Sequence, residues 1–342
     1  MCLYPTLMIN PKYKPNKKNG GKPPPLTNED IKHVPVACGK CRQCLKQQSN
    51  QWKIRLTEEV KQDNKGQFIT LTFSDESISK LKSELPNYSG YTLDNQIATL
   101  AVRRFLERIR KKTKKSIKHW LVTEIGHNGT ENIHLHGIIW TDLTNNEIKE
   151  LWKYGYIWNG YTDKKTYISS KTVNYITKYI TKTDMKHTQY KPKILCSKGI
   201  GKSYILTGRN TRNKYQNEKT IETYKTETGH DIALPTYYRN NTYTDEEKEQ
   251  LWINKINKQI RYLGKQKYYM PNEANQYYSA LQYAQKQNQL MGYGTNEKNW
   301  DEKQYQETLR DQKNQIRILR AIQAGQNQKP KTHKTTQASG GV

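Results

Sequence analysis

Two runs on either side of a short polar link constrain the fold most: "HWLVTEIG" at 119–126 and "NIHLHGIIW" at 132–140. Both have strand length and strand residues, and "HNGTEN" between them predicts a hairpin. Side chains alternate across a strand, so His134 and His136 share one face. Glu124 on the preceding strand joins that face if the register has the right parity. Positions of this kind ordinarily hold valine or isoleucine. Two readings stand: neutral, hydrogen-bonded core histidines, or ligands of a metal. A His-His-Glu face with open positions suits Mg²⁺ or Mn²⁺ holding a phosphate, and suits zinc equally.

The surrounding pattern predicts an α+β fold with a central antiparallel sheet and flanking helices. "QFITLTF" (67–73) and "YGYIW" read as further strands. Ile97, Ala101, Phe105 and Ile109 recur at helical spacing between Leu93 and Lys112. Trp52, Leu56 and Val60 do so after the cysteines. Thr144 with Glu147, and Thr244 with Glu247, stand in capping-box positions at two helix starts. The second of these helices is expected over 244–264, and Gln-rich helical sequence over the region to about 323. Residues 10–35 are rich in Pro, Lys and Gly and predict an extended arm. The expected organisation is 1–60, an arm and cysteine cluster with a helix; 61–235, the α+β domain; 240–323, a helical C-terminal region; and 324–342, a disordered tail.

Charge narrows the partners. Lys and Arg number 58 against 31 Asp and Glu, a formal net charge of +27, which attracts polyanions, nucleic acid first. An AT-biased genome inflates lysine but does not explain a nearly twofold excess over acids. The helix around Arg103, Arg104, Arg108, Arg110, Lys111 and Lys112 has a basic face fit for phosphates or simply for water. The 25 tyrosines suit base stacking beside such contacts. No run approaches the ~18 apolar residues of a membrane span. The first residues lack the order of a signal peptide, and five cysteines form no even disulfide set. A reducing cytoplasm is the expected location, and no small-molecule substrate is indicated.

Three further motifs carry chemistry. In "VNYITKYITK", Tyr175 and Tyr179 lie one helical turn apart with Lys178 and Lys182 alongside, while Val173, Ile176 and Ile180 supply a separate core stripe. The tyrosines are either packing residues or nucleophiles; a phenol near pKa 10 needs cationic help to attack. "CGKCRQC" places Cys38, Cys41 and Cys44 in a C-x-x-C-x-x-C run, and Cys2 completes four thiolates for a structural zinc. An Fe–S cluster or free thiols are the alternatives. "CSKGIGKS" (196–203) lacks the first glycine of a phosphate loop; it reads as a basic turn offering Lys198 and Lys202 to DNA.

A "FITLTF" strand, a His-Leu-His strand and a helix with paired tyrosines, in that order, resemble the HUH endonucleases. More closely, with "MCLYP" and the cysteine cluster, residues 1–205 resemble replication initiators of microviruses, the gokushovirus branch of single-stranded DNA bacteriophages. The resemblance implies that 61–235 is catalytic and that His134, His136 and Glu124 hold the divalent ion. It implies that Tyr175 or Tyr179 attacks one strand at the phage origin, leaving a 5′-phosphotyrosine and a priming 3′-OH. The other tyrosine then acts in rejoining the displaced strand, with Lys178 and Lys182 stabilising the phosphate. Single- and double-stranded origin DNA, a host helicase and a host polymerase are the implied partners, and the host cytoplasm the implied location. The competing expectations are a non-catalytic nucleic-acid-binding protein with a zinc knuckle, and a single-tyrosine transposase or plasmid initiator of the same superfamily.

Overall fold

The computed structural model describes residues 1–88, 90–126, 132–158, 168–182 and 190–295. Contacts divide the chain into two compact units, one of Met1–Leu3 with Ala37–Thr295, the other including Tyr4–Val36. In the latter, β1 (Thr6–Ile9) pairs antiparallel with β2 (His33–Val36). The expected loose arm is thus a ribbon closed at its base. Asparagines supply the order that composition hides: Asn16 accepts from the Lys18 and Asn19 amides and donates to the Pro11 and Lys14 carbonyls.

The larger unit starts with α1 (Arg42–Gln62), β3 (Gln67–Leu71), α2 (Asp75–Ser83) and α3 (Gly90–Thr113). The hairpin strands β4 (Lys118–Ile125) and β5 (Ile133–Trp140) follow, then α4 (Asn145–Trp152), β6 (Ile157–Trp158), α5 (Ser170–Thr181) and β7 (Ile194–Cys196). The five strands form one antiparallel sheet in the order β6-β3-β5-β4-β7. The mixed α+β architecture with a central antiparallel sheet is therefore as expected; the short edge strand β7 and helix α2 were not foreseen. The link 127–131 lies outside the described residues.

Alternation along the strands gives the sheet two apolar faces. Ile69, Leu71, Leu121, Leu135 and Ile139 pack under α3, whose Ile97, Ala101, Phe105 and Ile109 are all buried. Trp120, Val122, Ile138 and Trp140 pack against Leu56 of α1 and Val173, Ile176 and Ile180 of α5. The sheet is covered on both sides, which accounts for strands with few outward polar residues.

Beyond the sheet come α6 (Ser203–Leu206), a hairpin of β8 (Thr223–Lys225) and β9 (Asp231–Ala233), α7 (Thr236–Thr242) and α8 (Asp245–Asn257). Both expected capping boxes form, Thr144 with Glu147 and Thr244 with Glu247. The expected helix 244–264 ends early. Residues Ile260–Leu263 (β10) instead pair with Gln266–Tyr269 (β11), and Gly264 at φ +63° makes the turn. Then α9 (Ala274–Leu290) resumes the helical pattern; expectations for 296–342 lie outside the described residues. Asn288 of α9 accepts from the Arg42 amide at the start of α1, and Gln285 donates to the Leu3 carbonyl. That helix therefore clasps the two segments that carry the cysteines.

Candidate functional site

The hairpin register sets Glu124 opposite His134 and Val122 opposite His136. Alternation then brings Glu124, His134 and His136 to the face covered by α5, as parity allowed. Glu124 Oε2 and His136 Nε2 are 2.9 Å apart, and Lys182 Nζ donates to Glu124 Oε1 at 2.5 Å. Burial alone would raise the Glu124 carboxyl; the bonds from His136 and Lys182 outweigh it and hold the group below its ordinary value. On the other side of the ring, His136 Nδ1 meets Thr70 Oγ1 at 3.0 Å, and Thr70 is the cross-strand neighbour of His136 on β3. Thr70 was not among the expected site residues. Its place in "FITLTF" was visible, but its partner depended on knowing that β3 lies beside β5.

The tyrosines stand over this pair. The Tyr179 ring stacks on His136, with centroids 4.2 Å apart and planes 3° from parallel. Tyr179 Oη donates to Tyr175 Oη at 2.8 Å, and Tyr175 is 49% exposed. Burial first, then this hydrogen bond, push the Tyr179 phenol above its ordinary value. The i, i+4 spacing accounts for the contact, and the core stripe of α5 fixes which side of the helix faces the histidines. Lys178 is exposed on the outer side of α5.

Gly126 ends β4 where His134 needs room. A Cβ there would lie 2.7 Å from His134 Cε1, so only glycine leaves the imidazole its position.

The cysteine quartet is a second centre. Cys2, Cys38, Cys41 and Cys44 bring their sulfurs within 4.8 Å of one another, the group of that kind among the described residues. Two separations are 4.0 Å (Cys2–Cys41) and 3.9 Å (Cys38–Cys44). Four thiolates at ~2.3 Å from a tetrahedral zinc would stand ~3.8 Å apart. Backbone amides of Leu3, Cys38, Lys40 and Cys41 donate to the sulfurs, which favours the thiolate form. The thiol of Cys41 is drawn down to about 6, chiefly by its bond with Cys2. This set could hold a metal such as zinc.

The basic residues spread differently. Those on α3 lie across the sheet from the tyrosines. Arg104 pairs with Glu84, Arg103 with Glu107 and Lys112 with Glu147. Arg108 donates to the Leu151 and Trp152 carbonyls at the end of α4 and covers the Tyr154 ring; Arg110 and Lys111 are exposed on the same helix. Lys198 and Lys202 are exposed in the glycine turn after β7. That turn is tied to α1 through the Gly201 amide on Glu59 and the Ile200 carbonyl on Arg55.

Residues 66–184 match the family model of the viral replication-associated protein ORF2, a span that holds β3 through α5 and the whole His-Glu-Tyr arrangement. The chain is also 27% identical to the replication-associated protein ORF2 of Spiroplasma virus 4 over 245 residues, 63% of this chain and 72% of that relative. The chain is similar to viral replication-associated proteins. No solved structure gives a significant match. Among the described residues no helix is long and apolar enough to cross a membrane.

Proposed function

We propose that this chain is a rolling-circle replication initiator of a single-stranded DNA phage, nicking one strand at the origin by tyrosine attack. The observation that supports this most is the Tyr175–Tyr179–His136–Glu124 chain of contacts, in which two phenols stand on the imidazole of a His-Glu pair. Tyr175 is the first nucleophile: it is the more exposed, and its oxygen already accepts a hydrogen bond from Tyr179, a stabilising partner for a developing phenolate. Its Oη bonds to phosphorus as the bond to the 3′ oxygen breaks; the phenol gives up one proton and the 3′ oxygen gains one. A 5′-phosphotyrosine and a free 3′-OH result, and Tyr179 serves in rejoining. Two nucleophiles within one helical turn reach the same phosphate.

His134, His136 and Glu124 would hold Mg²⁺ or Mn²⁺, and a donor set of two imidazoles and a carboxylate suits such an ion. The ion supplies charge to polarise the phosphodiester. Lys182 neutralises Glu124 in the arrangement described, and Thr70 fixes the His136 ring. Lys178 and Lys182 lie where they attract phosphate. A host helicase and a host polymerase complete the proposed replication cycle.

A second reading, a DNA-binding protein without catalysis, draws on one observation: Glu124 spends both oxygens on His136 and Lys182. Incubation with single-stranded origin oligonucleotides and Mn²⁺, followed by denaturing electrophoresis and peptide mapping, separates the two. The expected result is a covalent adduct on Tyr175 that Tyr175→Phe abolishes. DNA retention without any adduct supports the binder.

A further inference from the structure

The aromatic row does not stop at the tyrosines. Phe68 of β3 packs edge-on against Tyr175 with centroids 5.8 Å apart, and against Trp158 of β6 at 5.7 Å. Trp158 stands opposite Thr70 in the sheet, so it shares the face of His136. An unbroken series of rings thus leads from the sheet edge at Trp158 through Phe68 and Tyr175 to Tyr179 and His136. The core does not account for all of it: Trp158, Phe68 and Tyr175 are half-buried or exposed, and Tyr156, just before β6, is 64% exposed. Exposed lysines flank it on α5, with Lys171 one turn before Tyr175 and Lys178 three residues after. Rings in a row with ammonium groups beside them match a polyanion that carries flat apolar groups at regular intervals. That is an unpaired nucleic-acid strand; a duplex hides its base faces, and a phosphoprotein has none.

We infer that Trp158, backed by Phe68, is a stacking platform for an unpaired base next to the phosphate presented to Tyr175. The inference rests on the proposed function for its substrate class. It adds that the strand leaves the tyrosines toward the β6 edge of the sheet, with at least one base splayed onto Trp158. Lys171 and Lys178 take the phosphates on either side. Sequence tolerance follows, because every base offers a π face.

The test uses the full chain and two probes of equal length and charge, an oligothymidylate and an abasic oligomer, with binding read by fluorescence anisotropy at fixed salt. Wild type is expected to bind the oligothymidylate more tightly. Trp158→Ala is expected to weaken that binding roughly tenfold, the usual scale of one stacked base, while leaving the abasic oligomer unchanged. Trp158→Phe should keep most of the preference. Equal loss on both probes would mark a folding or charge defect and overturn the platform, as would no loss on either. Tyr156→Ala, at a more exposed ring, checks the direction of the strand: an unchanged thymidylate preference there, with the loss at Trp158, confines the platform to Trp158 and Phe68. No step depends on cleavage, so a protein that nicks DNA and fails here loses only the platform. One that passes here and never nicks loses the proposed function instead.

Discussion

Replacing Glu124 with glutamine tests how the centre is held before any ion binds. Two interactions are lost in strength, and they differ in weight. The Glu124 and His136 side chains are 14% and 10% exposed, whereas Lys182 is 46% exposed. A sheltered hydrogen bond to a charged group is worth ~1.5–3 kcal/mol net, and an ion pair open to solvent ~0–1 kcal/mol. The His136 bond therefore dominates. Glutamine keeps an acceptor and recovers part of it, so the expected cost is ~1–2 kcal/mol. At ~2–4 °C per kcal/mol for a chain of this class, the melting point in EDTA at pH 7 should fall by about 2–8 °C. The sign with pH follows from the depressed Glu124 carboxyl. Its contribution is fully present above the unfolded value of about 4.3 and is lost as pH falls through the lower folded value. The gap between wild type and variant should close below about pH 4. Scanning calorimetry across pH reads both effects. A Glu124→Gln protein as stable as wild type at pH 7, or a gap that widens in acid, would refute the reasoning, as would a larger loss from Lys182→Met than from Glu124→Gln.

Purified chain should carry one zinc by elemental analysis, and Cys41→Ser should lose it and lower the melting point, while Cys196→Ser, outside the quartet, should change neither. Arg108→Ala should cost ~2 kcal/mol in denaturant unfolding, since two carbonyls of α4 lose a charged donor. Arg110→Ala should cost little stability, so any shared effect of the two on DNA affinity would identify a real binding face on α3. Gly126→Ala should disturb His134 through the close approach of the new Cβ. Histidine NMR signals would show this, and nicking should drop at least tenfold with the fold retained.

The candidate centre was legible where local periodicity decides placement. His134 and His136 share a face because strands alternate, Glu124 joins them through hairpin parity, and Tyr175 and Tyr179 align because a helix repeats every 3.6 residues. Relations between elements distant in sequence were not legible. Thr70 meets His136 only because β3 pairs with β5. The amphipathic pattern of α3 required an apolar surface but could not say which face of the sheet provided it. The opposite face was the outcome, so the basic helix stands away from the tyrosines. Short elements escaped for another reason. β7 has three residues, too few for alternation to register, and the β10–β11 hairpin breaks a polar helical pattern at Gly264, where turn geometry outweighs helix propensity. The cysteine quartet was visible as a spacing, yet the part played by α9 in holding it came only from long-range contacts at Asn288 and Gln285.

The most direct measurement is a nicking assay on supercoiled DNA carrying the phage origin, in Mn²⁺ or EDTA. Wild type runs beside His134→Ala/His136→Ala and Tyr175→Phe/Tyr179→Phe. The account expects conversion to open circles in Mn²⁺ with protein on the 5′ end, none in EDTA, and none with either double variant although both still bind DNA. Salt-sensitive binding with no nicking by wild type, or nicking that survives loss of both tyrosines, would contradict it.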